Sequence, residues 1–121
     1  MKKDAIKDFV PYEHAVALKE LGFDEPCFRF QNNISHIIEE KGWLNWNEVE
    51  QFISLPIFSQ AFRWFRIEYS IDSHIRPNIS INVPKTYQFI IDDNIDDEWH
   101  MSYEEAELAC LKKLIEIVKN K

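Results

Sequence analysis

Pro56-Ile57-Phe58-Ser59-Gln60-Ala61-Phe62-Arg63-Trp64-Phe65-Arg66-Ile67-Glu68-Tyr69 decides how this chain folds. Proline suits the first turn of a helix, and Phe58, Ala61, Phe62, Phe65 and Tyr69 then recur at helical spacing as one apolar stripe. Gln60, Arg63 and Glu68 point outward on that reading. A central helix therefore separates two stretches of strand character.

Towards the N-terminus, Cys27-Phe28-Arg29-Phe30-Gln31 alternates like a half-buried strand, and Asn32-Asn33 suits a tight turn into Ile34 to Ile38. This is a first hairpin. Glu39 to Gly42 breaks the pattern, and Asn47-Glu48-Val49-Glu50 offers an Asn cap with Glu three residues on, the capping chemistry of a short helix. Pro11 opens an earlier helix through Leu21, with Gly22 at the left-handed stop position and Val16, Ala17 and Leu21, with Tyr12 or Ala15, facing inward.

Towards the C-terminus, Ile79-Ser80-Ile81-Asn82-Val83 alternates strictly, Pro84-Lys85 can occupy a turn, and Tyr87 to Ile91 returns. This second hairpin follows extended chain at Ser73 to Arg76. Ser102-Tyr103-Glu104-Glu105 is a capping box that opens a helix to about Val118, with Lys112, Lys113 and Lys119 placed where the helix dipole favours cations. Strand pairs alternating with helices predict an α+β, two-layer fold, its helices packed on one face of a small antiparallel sheet built from two hairpins.

The 121 residues include nine Phe, four Tyr and four Trp but only two Gly, enough for one core and too little for a flexible linker. One domain over 1–121 is expected, with ends fraying at about 1–8 and 119–121. After Met1-Lys2-Lys3-Asp4 no apolar run of signal-peptide length follows, and the apolar stretch from Phe52 to Phe58 is interrupted by Ser54 and Pro56. A cytoplasmic protein with no membrane segment is expected. Cys27 and Cys110 lack any CxxC or Cys/His cluster and fit two buried free thiols in a reducing compartment.

Charge is the other organising feature. Thr86 to Leu111 carries Asp92, Asp93, Asp96, Asp97, Glu98, Glu104, Glu105 and Glu107 with no Lys or Arg, while the other thirteen acids nearly balance fourteen bases to give a net −7. Such a field repels nucleic acid and attracts cations or basic protein surfaces. Asp92 to Glu98 offers the hard oxygens that Ca²⁺ or Mg²⁺ require, but the sixth position from Asp92 is Asp97 instead of Gly and the twelfth is Tyr103 instead of Glu. A solvated acidic loop is the simpler reading.

Other chemistries are poorly served. His14, His36, His74 and His100 lack the HxxxH spacing of a zinc helix, and two glycines leave no GxSxG, phosphate loop or dinucleotide fingerprint. No catalytic residue, cofactor or metal is assigned. Arg63, Arg66 and Arg76, with Trp64 beside them, could form an aromatic and basic patch for single-stranded nucleic acid. The final helix after a strand pair is similar to double-stranded-RNA-binding domains, yet its start holds Glu104, Glu105 and Glu107, which repel phosphate. Trp43 and Trp46 lie in a region of weak periodicity and either plug the core or protrude as a contact surface.

Leu18 to Phe28, Gln60 to Arg66 and Tyr103 to Ile115 together resemble small uncharacterised proteins encoded in phages, prophages and mobile elements of gut Bacteroides-type bacteria. The resemblance covers about half the chain. In that family the central helix continues Phe-Arg-Glu-Lys-Tyr where this chain has Phe65-Arg66-Ile67-Glu68-Tyr69. It implies an accessory protein of such elements and brings no activity with it. The leading expectation is a non-catalytic protein-protein interaction module, presenting Asp92, Asp93, Asp96, Asp97 and Glu98, with Trp43 and Trp46, to an unknown host or phage protein that has a basic surface. The alternatives are a nucleic-acid module using Arg63, Arg66 and Arg76, and a divalent-metal-dependent enzyme on the acidic connector.

Overall fold

Three α-helices and two three-stranded antiparallel sheets make the chain α+β in the computed structural model, which describes residues 8–82 and 84–121. Readings that rest on Met1 to Lys7 or on Val83 lie outside the described residues. The chain forms two compact units, Met1–Trp64 and Phe65–Lys121. The first holds α1 (Tyr12–Glu20), β1 (Cys27–Asn32), β2 (Ile38–Leu44), a 3-10 turn (Trp46–Glu48), β3 (Phe52–Ser54) and the start of α2 (Phe58–Tyr69). The second holds the end of α2, then β4 (Ser73–Pro77), β5 (Tyr87–Ile91), β6 (Asn94–Ile95) and α3 (Tyr103–Lys119).

The two hairpins do not share a sheet. Each gains a short third strand of its own, giving the orders β2-β1-β3 and β4-β5-β6. Strands of three and two residues carry too little alternation to be read from sequence.

In the first unit, α1 ends where Gly22 takes φ +97°, with Phe23 N bonded to Leu18 O and Gly22 N to Lys19 O. The buried face of α1 is Ala15 and Leu18, whereas Val16, Ala17 and Leu21 are only half-buried and Tyr12 is exposed. This Schellman stop seats Phe23 beside Leu18 in the core. Gly22→Ala has open space for its methyl but an unfavourable φ, so it should destabilise by about 1 kcal/mol. A chemical-denaturation midpoint checks this.

The hairpin loop is longer than a tight Asn32-Asn33 turn. Asn32 Oδ1 accepts from Ile34 N and Ser35 N, its carbonyl accepts from His36 N, and His36 adopts φ +61°. Five residues are consumed, Ile34 is left exposed, and Glu39 to Gly42 lies inside β2. The 3-10 turn replaces the expected helix at Asn47. Asn45 caps it, which frees the Asn47 amide to donate to Phe23 O (2.9 Å) and accept from Ser54 N (2.8 Å). Lys19 closes the same corner by donating to the carbonyls of Val49, Glu50 and Phe52.

On α2, Phe58, Ala61 and Phe65 are buried as the stripe requires, and Phe62 and Tyr69 are half-buried. Trp64 is buried too, edge-on to Phe23 at 5.3 Å. Gln60 turns inward instead of outward, because its amide donates to Pro26 O.

In the second unit the partner of β5 is Ser73–Pro77, in register from Ser73↔Ile91 to Pro77↔Tyr87. Ile79 and Ile81, read as strand, are 91% and 94% exposed in the connection. Asn78 diverts the chain there: its Oδ1 accepts from Ser80 N while its own N–H bonds Thr86 O. Pro77, which has no N–H, is tolerated because β4 is an edge strand. Helix α3 packs on β4 and β5, burying Ala106, Cys110, Leu111, Leu114, Ile115 and Val118. Ser102 caps it as read, with Oγ accepting from Glu105 N, but the Glu105 carboxylate accepts from Met101 N, one residue before the N–H that a capping box would use.

Candidate functional site

The acidic segment is built into the second sheet as its closing turn. After β5, Asp92 adopts φ +51° and is clamped to Asp72 by two hydrogen bonds, Asp92 N to Asp72 O (2.7 Å) and Asp72 N to Asp92 Oδ1 (3.0 Å). Asp92-Asp93 then forms a two-residue connection into β6, which pairs Ile90 with Ile95 and Ile91 with Asn94. The segment thus has a defined course.

Asp96 differs from its neighbours. Its N–H donates to Phe89 O, its carbonyl accepts from Gln88 Nε2 (2.7 Å), and its carboxylate accepts from Glu98 N and lies 2.7 Å from His100 Nε2. His100 is itself fixed by backbone bonds in both directions with Tyr87, and its ring stacks on Phe89. Asp96 is a half-buried structural carboxylate, whereas Asp92, Asp93, Asp97 and Glu98 face solvent. The four-residue step from Asp96 to His100 was present in the sequence, but such spacing has meaning on a helix and this segment is not one.

Beside this turn lies a cleft of about 450 Å³ within the second unit. Phe89, Ile91, Ile95 and Ile117 supply its apolar lining, and Asn94, Asp96, Asp97 and Lys113 its polar lining. The volume falls in the range of sites that hold a small ligand or a few side chains. Lys113, the basic residue of the lining, is 3.4 Å from Glu116, its own helix neighbour. The balance of the lining is negative.

The remaining candidates separate. Trp46 stacks on Phe30 at 4.1 Å, meets Phe52 edge-on, and donates from Nε1 to Cys27 O (2.7 Å), so it belongs to the packing of the first unit. Trp43 is 68% exposed and touches Phe28. All three candidate arginines are exposed; Arg63 pairs with Glu25 at 2.8 Å and Arg76 is held by Gln88 Oε1 through two donors. Among the described residues no three His, Cys, Asp or Glu side chains converge as a metal ion would need.

Both thiols are free and buried. Burial is the main cause that pushes Cys27 up to about 12, with the Glu25 carboxylate adding and a Ser54 hydrogen bond opposing. Burial likewise pushes Cys110 up to about 12, with Asp96 and Glu107 adding and Ser73 opposing. Neither is a thiolate near neutral pH. No helix among the described residues is long and apolar enough to cross a membrane. No family model, curated protein or solved structure matches the chain.

Proposed function

We propose that this is a protein-protein interaction module whose second unit docks a basic segment of another protein, as an accessory protein of a phage or mobile element could do at a host factor's cationic surface. The observation that carries this reading is a cleft lined by Phe89, Ile91, Ile95 and Ile117 together with Asp97, with Asp92, Asp93 and Glu98 exposed on the adjoining turn. An aliphatic side chain could bury against the apolar lining while a neighbouring lysine or arginine meets the acids. The carboxylates serve attraction and orientation, and the lining supplies the apolar contact area.

A synthetic peptide of alternating leucine and lysine is a direct probe. On titration, the NMR methyl signals of Ile91, Ile95 and Ile117 should shift, and affinity should fall as salt rises. Replacing Asp92, Asp93 and Asp97 by Asn and Glu98 by Gln should abolish the shifts. Asp96 is left alone because it holds the turn together. Shifts confined to the first unit, or an affinity indifferent to salt, would contradict this reading.

A further inference from the structure

The most exposed large apolar side chains among the described residues are Ile81 and Ile79, on the connection between β4 and β5. Two isoleucines left in water forgo the burial that favours such residues. The charge around them is equally uneven. Ser73 to Ile91 carries Arg76 and Lys85 with no Asp or Glu, and Asp92 to Glu107 carries eight acids with no Lys or Arg. The second unit therefore bears two complementary features. One is an aliphatic connection that also exposes Lys85; the other is the cleft lined by Phe89, Ile91, Ile95 and Ile117 together with Asp97. The connection has the chemistry that the cleft is proposed to dock.

A chain does not fill its own cleft in this way, because Ile79 and Ile81 stay uncovered within it. The two features also lie towards opposite ends of β5. The connection enters at Tyr87, opposite Pro77, whereas the cleft is lined from Phe89 and Ile91 and from β6, which pairs with Ile90 and Ile91. Two copies set antiparallel would bring each connection to the other's cleft. A two-fold axis then closes the assembly with two identical contacts and leaves no open end to propagate.

From this we infer that the cleft of one copy takes Ile79 and Ile81 of a second copy, reciprocally, with Lys85 set against Asp97 and the exposed acids of the adjoining turn. The inference rests on the cleft as the docking site proposed above and names an occupant for it. A cleft of about 450 Å³ has room for two aliphatic side chains. Their burial, with the attraction between Lys85 and the carboxylates, opposes the repulsion between two chains of charge −7. Self-association and the binding of a basic partner then compete for one site, and a partner must displace the second copy.

Light scattering across a dilution series, with two charge variants, tests it. The native chain should approach twice its 14.5 kDa mass as concentration rises. Ile79→Asp with Ile81→Asp sets acids against the acidic cleft, and Ile95→Lys with Asp97→Lys sets lysines where Lys85 must come. Each variant alone should self-associate roughly 100-fold more weakly than native. All four positions are exposed, and circular dichroism would confirm that the variants fold. Mixed, the two variants should form a heterodimer of doubled mass, because the native connection of one meets the native cleft of the other and the acidic connection meets the basic cleft. A native mass of 14.5 kDa at every concentration, a variant that dimerises alone as well as native, or a mixture that stays monomeric would each overturn the inference. The leucine and lysine peptide separates this from the reading it rests on. The Ile79→Asp/Ile81→Asp chain keeps a native cleft and should bind the peptide more tightly than the native chain does. Peptide binding by that chain without native self-association would sink the pairing and spare the docking site; doubled mass and a rescued mixture without peptide binding would do the reverse.

Discussion

Between pH 9 and 12 the free energy of unfolding should fall by about 1.4 kcal/mol per pH unit for each buried thiol. Burial raises both Cys27 and Cys110 from 9.0 to about 12 in the folded chain. The unfolded chain releases these protons at the lower pH and the folded chain keeps them, so the unfolded state binds fewer protons in this window and stability declines as pH rises. Below pH 9 both states are protonated and the contribution is complete. Above about 12 both are ionised and it is gone. Across the whole window two such slopes remove about 8 kcal/mol, a loss comparable with the roughly 5–15 kcal/mol by which small domains are stable. Tyr103, also pushed up by burial, acts in the same direction and remains in every variant. Urea unfolding at a series of pH values, compared with Cys27→Ala/Cys110→Ala, measures the effect. The variant should lose most of the slope; an unchanged slope would show that the thiols ionise alike in both states.

Trp46→Ala should destabilise by about 3 kcal/mol while Trp43→Ala stays within about 0.5 kcal/mol of native. Trp46 gives up the 4.1 Å stack on Phe30, the contact with Phe52 and the bond from Nε1 to Cys27 O, and the last leaves a strand carbonyl without that donor. Trp43 gives up a tilted contact with Phe28 at a solvent-facing position. Two tryptophans three residues apart therefore have different work to do. Denaturation midpoints of the two variants would separate them, and comparable losses would mean that Trp43 is packed more tightly than its exposure implies.

The contrast shows where sequence patterning carries and where it stops. Features set by neighbours along the chain were legible: the stripe on α2, the Gly22 stop and the Ser102 cap depend on residues within a turn or two, whereas the alternation read in Cys27 to Gln31 fails because Arg29 is buried and Phe28 exposed. Features set by distant partners were not. Ile79 to Asn82 alternates as well as any strand, but β5 pairs instead with Ser73–Pro77 and leaves those isoleucines uncovered. Asn47 looked like a cap until Phe23 O and Ser54 N, brought in by the fold, claimed its amide. The acidic block was visible as composition, yet the half-burial of Asp96 among four exposed carboxylates depends on Gln88, Phe89 and His100 closing around it, and Asp92 is tied as well, through Asp72 N. The cleft is made by side chains from β5, β6 and α3, and no local pattern announces such a meeting.

The most direct test of the acid-lined cleft as a docking site is a paired capture experiment from lysate of the natural host, read by mass spectrometry. One bait is the native chain. The other carries Asn at positions 92, 93 and 97 and Gln at 98, which keeps the Oδ1 acceptor that Asp72 N uses and leaves Asp96 intact. A protein with a basic surface should be retained by the native bait at low salt, released as salt rises, and missing from the neutralised bait. The same protein recovered equally by both baits would contradict the account.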